Sequence, residues 1–347
     1  MTAQQMNAVV LRGHGGPEVL TLESMPVPEP GPGCVRIAIA AVALNHLDLW
    51  VRRGGPAFRL EYPHRLGSDI AGVVDAVGPG VDGIAVGQKA VVQPGLSCGR
   101  CAACLSGQDN LCRHYRILGE NAQGGYAGYL VVPQVNVAPY PERLDFAHAA
   151  ASILPFLTAW QMVVTKAQVR PGEVVLVQAA GSGVGVAAVQ LCKLFGARVI
   201  ATSRSAAKLA RARALGADEV IDTSKDDLVA ACRALTGKRG VDAVIEHVGG
   251  ATFTASLKAL RNGGKLVTCG ATAGHAPEID LRHVFFRQLQ ILGSTMGSKA
   301  DLLAVLEHIA AGRLTPVVDR VLPLAEAAAA HRLLEDSAVF GRVVLTP

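Results

Sequence analysis

Aromatic side chains are scarce, making up 4% of the 347 residues, whereas 50% of the chain is hydrophobic. With 38 Gly and 18 Pro beside them, that balance suits an ordered, Ala/Val-rich α/β enzyme and excludes a fibrous or disordered chain. Long basic runs are absent too; Lys and Arg are scattered, and no cluster exceeds a pair such as Arg52-Arg53. A net charge of +5 spread this thinly gives no nucleic-acid or membrane footprint, although it suits an anionic small molecule. Met1 to Arg12 lack the basic start and apolar stretch of a signal peptide. No run approaches the roughly 18 apolar residues free of charge that a membrane helix needs. A soluble, cytoplasmic protein with reduced thiols is therefore expected. Internal repeats are missing, and a chain of this length is expected to form two domains.

What is present has two rhythms. Ala8 to Leu11, Val19 to Leu22, Val35 to Ala43, Val73 to Val77 and Lys89 to Gln93 are predicted as short strands, broken by Gly/Pro strings such as PVPEPGPG. Such punctuation predicts a partly barrel-like β domain, to which Tyr126 to Val132 returns. From about residue 157, strands alternate with helices: Val174 to Ala180, Arg198 to Thr202, Glu219 to Asp222, Val241 to Val248, Lys265 to Cys269 and Ile291 to Thr295 are strands. Val184 to Phe195, Ala206 to Leu215, Asp226 to Thr236 and Thr252 to Leu260 are the helices between them. That alternation predicts a doubly wound parallel sheet of Rossmann type. The tail adds a helix from Leu302, a strand at Val317 to Val321, a helix at Leu324 to Leu334 and a strand at Arg342 to Leu345.

Four of the eight cysteines, Cys98, Cys101, Cys104 and Cys112, follow the spacing C-x2-C-x2-C-x7-C. Thiolates this close, in a loop with Gly95, Gly99 and Gly107, can close a tetrahedral shell on one Zn²⁺. A full shell leaves no place for water or substrate, so such a zinc is structural. Free or disulfide-paired thiols are the alternative. Cys192 and Cys269, in apolar patterns, are predicted as small buried thiols.

Gln178 to Gly185 (QAAGSGVG) follows a strand and opens a helix. In Gly181, Ser182, Gly183, Val184 and Gly185, small residues let backbone approach a pyrophosphate at the positive end of that helix. A tight strand–helix turn without a ligand is the alternative. Thr202-Ser203-Arg204-Ser205 ends the next strand, with Lys208 one turn on. A neutral Ser203 followed by Arg204 and Lys208 would clasp a 2′-phosphate, which points to NADPH; solvated helix-end cations are the alternative.

On its cysteine spacing and glycine loop the chain resembles the medium-chain dehydrogenase/reductase superfamily, the zinc alcohol dehydrogenases and quinone oxidoreductases. The resemblance implies an α/β chain with a GroES-like, partly barrel β domain at 1–156 and 297–347. It places the structural zinc lobe at about 94–115 and a Rossmann domain at 157–296. It also implies cofactor contacts at His46, Thr158, Gly249, Gly270 and Arg342, and a homodimer or homotetramer. The family's catalytic zinc ligands align with Asn45, in Asn45-His46-Leu47-Asp48, with Ser68, in Gly67-Ser68-Asp69, and with Leu154. Asp69 stands at the glutamate of the family's G-H-E motif, and Leu47 and Trp50 stand where a hydroxyl and a histidine relay the proton.

Metal and relay are lost together. The expected activity is therefore hydride transfer from NADPH to an activated alkene, enone or quinone without a catalytic metal. Asn45 and Ser68 are the expected donors to the developing enolate. Asp48 is expected to orient His46 or Arg342, Asp69 to be a structural carboxylate, and His64 to be either a proton donor or a solvated loop residue. Two alternatives stand beside this: an alcohol or aldehyde dehydrogenase with an unusual metal set (His46, His64, Asp69), and a non-catalytic NADPH-binding regulator.

Overall fold

The computed structural model describes residues 4–56 and 58–347. The hairpin of β1 (Gln5–Val10) and β2 (Thr21–Pro26) opens the chain. β3 (Cys34–Ala43) and β4 (Asp69–Val77) follow as the longest antiparallel pair of the β domain. β3 alternates half-buried and buried residues along most of its length, the period-two signature of a strand with one core face. Its pairing with β4 shifts between Ile39 and Ala41. There Gly72 is required, because a Cβ would stand 2.1 Å from the Ala38 carbonyl oxygen. β5 (Lys89–Val92) continues the sheet. The ribbon of β6 (Gly95–Leu96) and β7 (Arg116–Ile117) closes the base of the cysteine loop. β8 (Tyr129–Pro133) and β9 (Val137–Pro139) complete this N-terminal part.

The second rhythm gives six parallel strands: β10 (Val174–Val177), β11 (Arg198–Ser203), β12 (Glu219–Asp222), β13 (Val241–Glu246), β14 (Leu260–Thr268) and β15 (Gln290–Gly293). Their order is β12-β11-β10-β13-β14-β15, so the winding reverses between β10 and β13, where α/β sheets present their ligand crevice. Every residue of β10 and β13 is buried, as central parallel strands covered on both faces require. Helices Gly183–Leu194, Ala206–Ala214, Leu228–Leu235 and Gly250–Ala259 supply the crossovers.

The tail then returns with helix Lys299–Ala310, β16 (Val318–Pro323), helix Ala327–Glu335 and β17 (Arg342–Thr346). β17 pairs with β3, and the seven-stranded sheet runs β16-β17-β3-β4-β5-β9 with β8 on β3. Two compact units result, residues 1–154 with 298–347, and residues 155–297.

One local expectation needs correction. Among the described residues one segment, Phe146–Lys166, is long and apolar enough to cross a membrane, where none was expected. It is 83% buried over its most apolar window, and so behaves as a core helix. The segment after Asn45, to which no element was assigned from the sequence, is a helix, His46–Arg53.

Candidate functional site

The four cysteine sulfurs converge: all lie within 4.8 Å of one another. Cys98 and Cys104 are 3.9 Å apart and Cys101 and Cys104 3.5 Å. A tetrahedron with Zn–S bonds of about 2.3 Å has edges of about 3.8 Å, so this donor set fits one zinc with a closed shell. Backbone N–H groups of Cys98 and His114 point at the Cys112 sulfur from 3.5 and 3.4 Å. Gly99 and Gly107, at φ +70° and +76°, let the loop turn between the ligands. The lobe is anchored at Asp109, whose carboxylate accepts from both the backbone N–H and the Nζ of Lys299, at 2.9 and 2.7 Å.

Asn45 and Asp69 are joined in one buried polar network. Asp69 is fully buried, and both of its oxygens are engaged. Oδ1 accepts from the Leu154 backbone N–H at 2.8 Å. Oδ2 accepts from Asn45 Nδ2 at 3.0 Å and from the Arg342 guanidinium. A second Arg342 nitrogen donates to Asn45 Oδ1 at 2.6 Å. Among the described residues, Arg342 Nε has no hydrogen-bond partner. Asp48 accepts from the backbone N–H of Asn45 at 2.7 Å and of Gly67 at 2.9 Å. It therefore fixes the start of helix His46–Arg53 rather than orienting His46 or Arg342.

Burial governs the charges here. Desolvation pushes the Asp48 carboxyl up to about 7, despite its two backbone donors. It also raises Asp69, against the opposing pull of Arg342 and Asn45, and lowers Arg342 from the ordinary arginine value. Within the Asp69–Arg342 pair each partner opposes the desolvation of the other. His46, at the solvent edge of the helix start, is held below its usual value by desolvation and then by the Arg342 and Arg53 cations.

Several expected roles change with this geometry. The Ser68 hydroxyl donates to the Leu118 carbonyl at 2.7 Å and is fully buried, so its one proton is already committed. Arg342 lies in the Asn45–Asp69 network at 5% exposure. His64 is neither solvated nor poised as a donor: it is buried, 3.2 Å from the Gly119 carbonyl through Nε2. His46, His64 and Asp69 do not converge; among the described residues the cysteines are the sole group of three or more metal-type ligands.

In the second unit, Ser182 caps helix Gly183–Leu194, its Oγ accepting from the Gly185 N–H at 3.0 Å. Gly185 is needed because a Cβ would meet the Ala179 carbonyl oxygen at 2.5 Å. Ala179 takes φ +43° and is held by Thr202, whose Oγ1 accepts from its N–H at 3.2 Å. Thr202 in turn donates to Gln178 Oε1 at 2.6 Å, and Gln178 reaches Ser256 at 2.9 Å. At the end of β11, Ser203 Oγ accepts from the Ser205 N–H at 3.2 Å. Arg204 is exposed and Lys208 half-buried. Gly249, at φ +76°, donates to the buried Glu246 carboxylate at 3.0 Å, and Thr268 Oγ1 donates to the Gly270 carbonyl at 3.3 Å. Thr158 is buried. Sequence reasoning passed over Gln178, Thr202, Glu246 and His247; His247 Nε2 stands 2.8 Å from Ser182 Oγ. Position at the carboxyl end of a central strand was the available signal for Glu246 and His247.

The comparisons agree with this architecture. Residues 31–142 match the family model of the alcohol dehydrogenase GroES-like domain, and residues 183–311 that of the zinc-binding dehydrogenases. An NAD-dependent alcohol dehydrogenase of Saccharolobus solfataricus is 34% identical over 99% of this chain and 100% of its own. A human quinone oxidoreductase is 28% identical over 98% of this chain and 97% of its own. A solved structure described as an NAD-dependent alcohol dehydrogenase matches with a TM-score of 0.96 at 56% identity, over 98% of this chain and 99% of that one.

Proposed function

Because this chain belongs to the medium-chain dehydrogenase/reductase superfamily of nicotinamide-dependent oxidoreductases, we propose that it reduces an activated alkene, enone or quinone with NADPH and without a catalytic metal. The observation that carries this reading is the network that ties Asn45, aligned by resemblance with the first metal ligand, to Asp69 and Arg342, while Ser68 and Leu154 stand at the other two ligand positions. A cation held by Asn45 would meet the Arg342 guanidinium, which already occupies the Asn45 carboxamide oxygen and pairs with the buried Asp69. Arg342 neutralises Asp69 and fixes the Asn45 carboxamide, which keeps a second N–H to offer a carbonyl or enolate oxygen. Bound NADPH supplies the hydride. A neutral amide donor suits a substrate that is already polarised and activates a simple alcohol poorly. With the Ser68 hydroxyl bound to the Leu118 carbonyl, Asn45 is left as the polarising group of this pair.

Ser203, Arg204 and Lys208 support the choice of NADPH, since no carboxylate stands at Ser203 to accept from a ribose hydroxyl. The cysteine cluster would hold one structural zinc per chain. Two observations favour further points of this reading. The edge strand β15 is open on one side, and Leu281, Phe285, Phe286 and Ile291 nearby in the chain are exposed, which favours a homo-oligomer built on that edge. Eight cysteines, none of them in a disulfide, favour a reducing, cytoplasmic setting.

A second reading, an NAD-dependent alcohol dehydrogenase, is favoured by the descriptions of the relatives from Saccharolobus solfataricus and of the matching solved structure. Following NADPH and NADH oxidation with a panel of enones and quinones, and their formation with primary and secondary alcohols, separates the two. Reduction of enones or quinones with NADPH preferred supports the proposal. NADH-linked alcohol oxidation as the main activity overturns it.

A further inference from the structure

We propose that His247 is a positioning residue for dinucleotide binding: its Nε2–H holds the Ser182 hydroxyl so that the serine proton points at the cofactor's pyrophosphate. The inference rests on the reading of Gly181 to Gly185 as the cofactor loop. Ser182 Oγ has one proton and two lone pairs to distribute. One lone pair accepts from the Gly185 N–H at 3.0 Å, which caps the helix. His247 Nε2 lies 2.8 Å from the same oxygen, across 65 residues of sequence.

Two arrangements satisfy that distance. In the first, the serine gives its proton to Nε2 and presents only lone pairs at the helix N-terminus, which would repel a phosphate oxygen. In the second, Nε2–H fills the remaining lone pair and the serine proton is left to donate outward. An anion at this helix end selects the second arrangement, because it adds a charge-assisted hydrogen bond to the positive end of the helix. His247 is 8% exposed and sits between β13 and helix Gly250–Ala259, so its ring is held by the sheet rather than by solvent. The same loop is stiffened from the other side by Thr202 and Gln178. His247 therefore decides whether the Ser182 hydroxyl helps or opposes cofactor binding.

The test measures dissociation constants for NADPH and NADH by cofactor fluorescence on the full chain. Gln carries an amide N–H the same number of bonds from the backbone as His Nε2, whereas Leu removes the donor. His247→Leu should weaken both cofactors by the same factor, about tenfold, since both carry the pyrophosphate. His247→Gln should stay within about twofold of the parent protein. In a Ser182→Ala background, His247→Leu should add nothing. If the Leu variant does not fold, His247→Asn, whose donor is one bond too short, should show the same tenfold loss. Unchanged binding in His247→Leu, an equal loss in His247→Gln, or additive losses with Ser182→Ala would overturn the inference while leaving the cofactor loop in place. A parent protein that binds neither cofactor would overturn the loop reading and this inference with it.

Discussion

Replacing Asp69 by Asn tests the buried network at its most exposed logical point. The substitution keeps the size of the side chain and an oxygen for the Leu154 N–H, but it removes the one charge that faces Arg342. Arg342 is then a guanidinium at 5% exposure with no carboxylate paired to it, and Asp48 is a poor substitute because its two oxygens already accept from the backbone N–H groups of Asn45 and Gly67. Breaking a buried pair by removing one partner costs about 3–5 kcal/mol. In a unit of this size about 1 kcal/mol moves the melting temperature by roughly 2–4 °C, so a fall of about 6–20 °C is expected. The companion variant Asp69→Asn with Arg342→Met removes both charges and should recover much of that loss, because a buried pair replaced by apolar atoms is often close to neutral. Thermal unfolding at pH 7.5, with zinc content measured on each sample, is the assay. A single variant that melts within about 3 °C of the parent, or a double variant no better than the single, would refute the reasoning. So would loss of one zinc per chain in Asp69→Asn, since that would make Asp69 a metal ligand.

Three further outcomes follow from the same structure. Cys101→Ser should release zinc and lower the melting temperature, because ligand–metal free energy is part of folding free energy; unchanged zinc and melting would remove the closed-shell assignment. Arg204→Ala should weaken NADPH about tenfold while leaving NADH unchanged, and an equal loss for both would discard the 2′-phosphate reading. Asp48 binds its proton more tightly when folded, at about 7, than unfolded, near 3.9, so the folded state holds the extra proton between those values. Its contribution to stability is therefore greatest below about pH 4 and is lost as pH rises to 7. Chemical denaturation across that window should show this decline in the parent and not in Asp48→Asn.

Much of the fold was legible because its signals are local. Continuous apolar runs such as Val174–Val177, set between helical stretches, predicted a parallel sheet; all six predicted strands of that sheet are present, with ends displaced by a few residues. Cys98 to Cys112 were legible for the same reason: the ligands are close in sequence, and their loop has little choice but to bring them together. The polar site was legible in its residue types and not in its partners. Asn45 meets Arg342 across 297 residues and Asp69 meets Arg342 across 273, pairings that no periodicity encodes. Ser68 was expected to face substrate because it aligns with a catalytic zinc ligand of the family; the Leu118 carbonyl, 50 residues on, accepts its proton in a hydrogen bond instead. His64 looked like a loop histidine, yet its backbone pairs with Leu11 and its ring is buried. His247 carried no motif at all, and only the register of β13 beside β10 brings it to Ser182.

The central claim, hydride transfer without a catalytic metal, is tested most directly by chelation during turnover. NADPH oxidation with an active enone or quinone would be followed before and after brief exposure to a chelator that leaves the Cys98–Cys112 zinc in place, with metal content measured on the same sample. The Asn45–Asp69–Arg342 network predicts one zinc per chain and an unchanged initial rate. Two metals per chain with immediate loss of activity, or vigorous oxidation of simple primary alcohols, would contradict it.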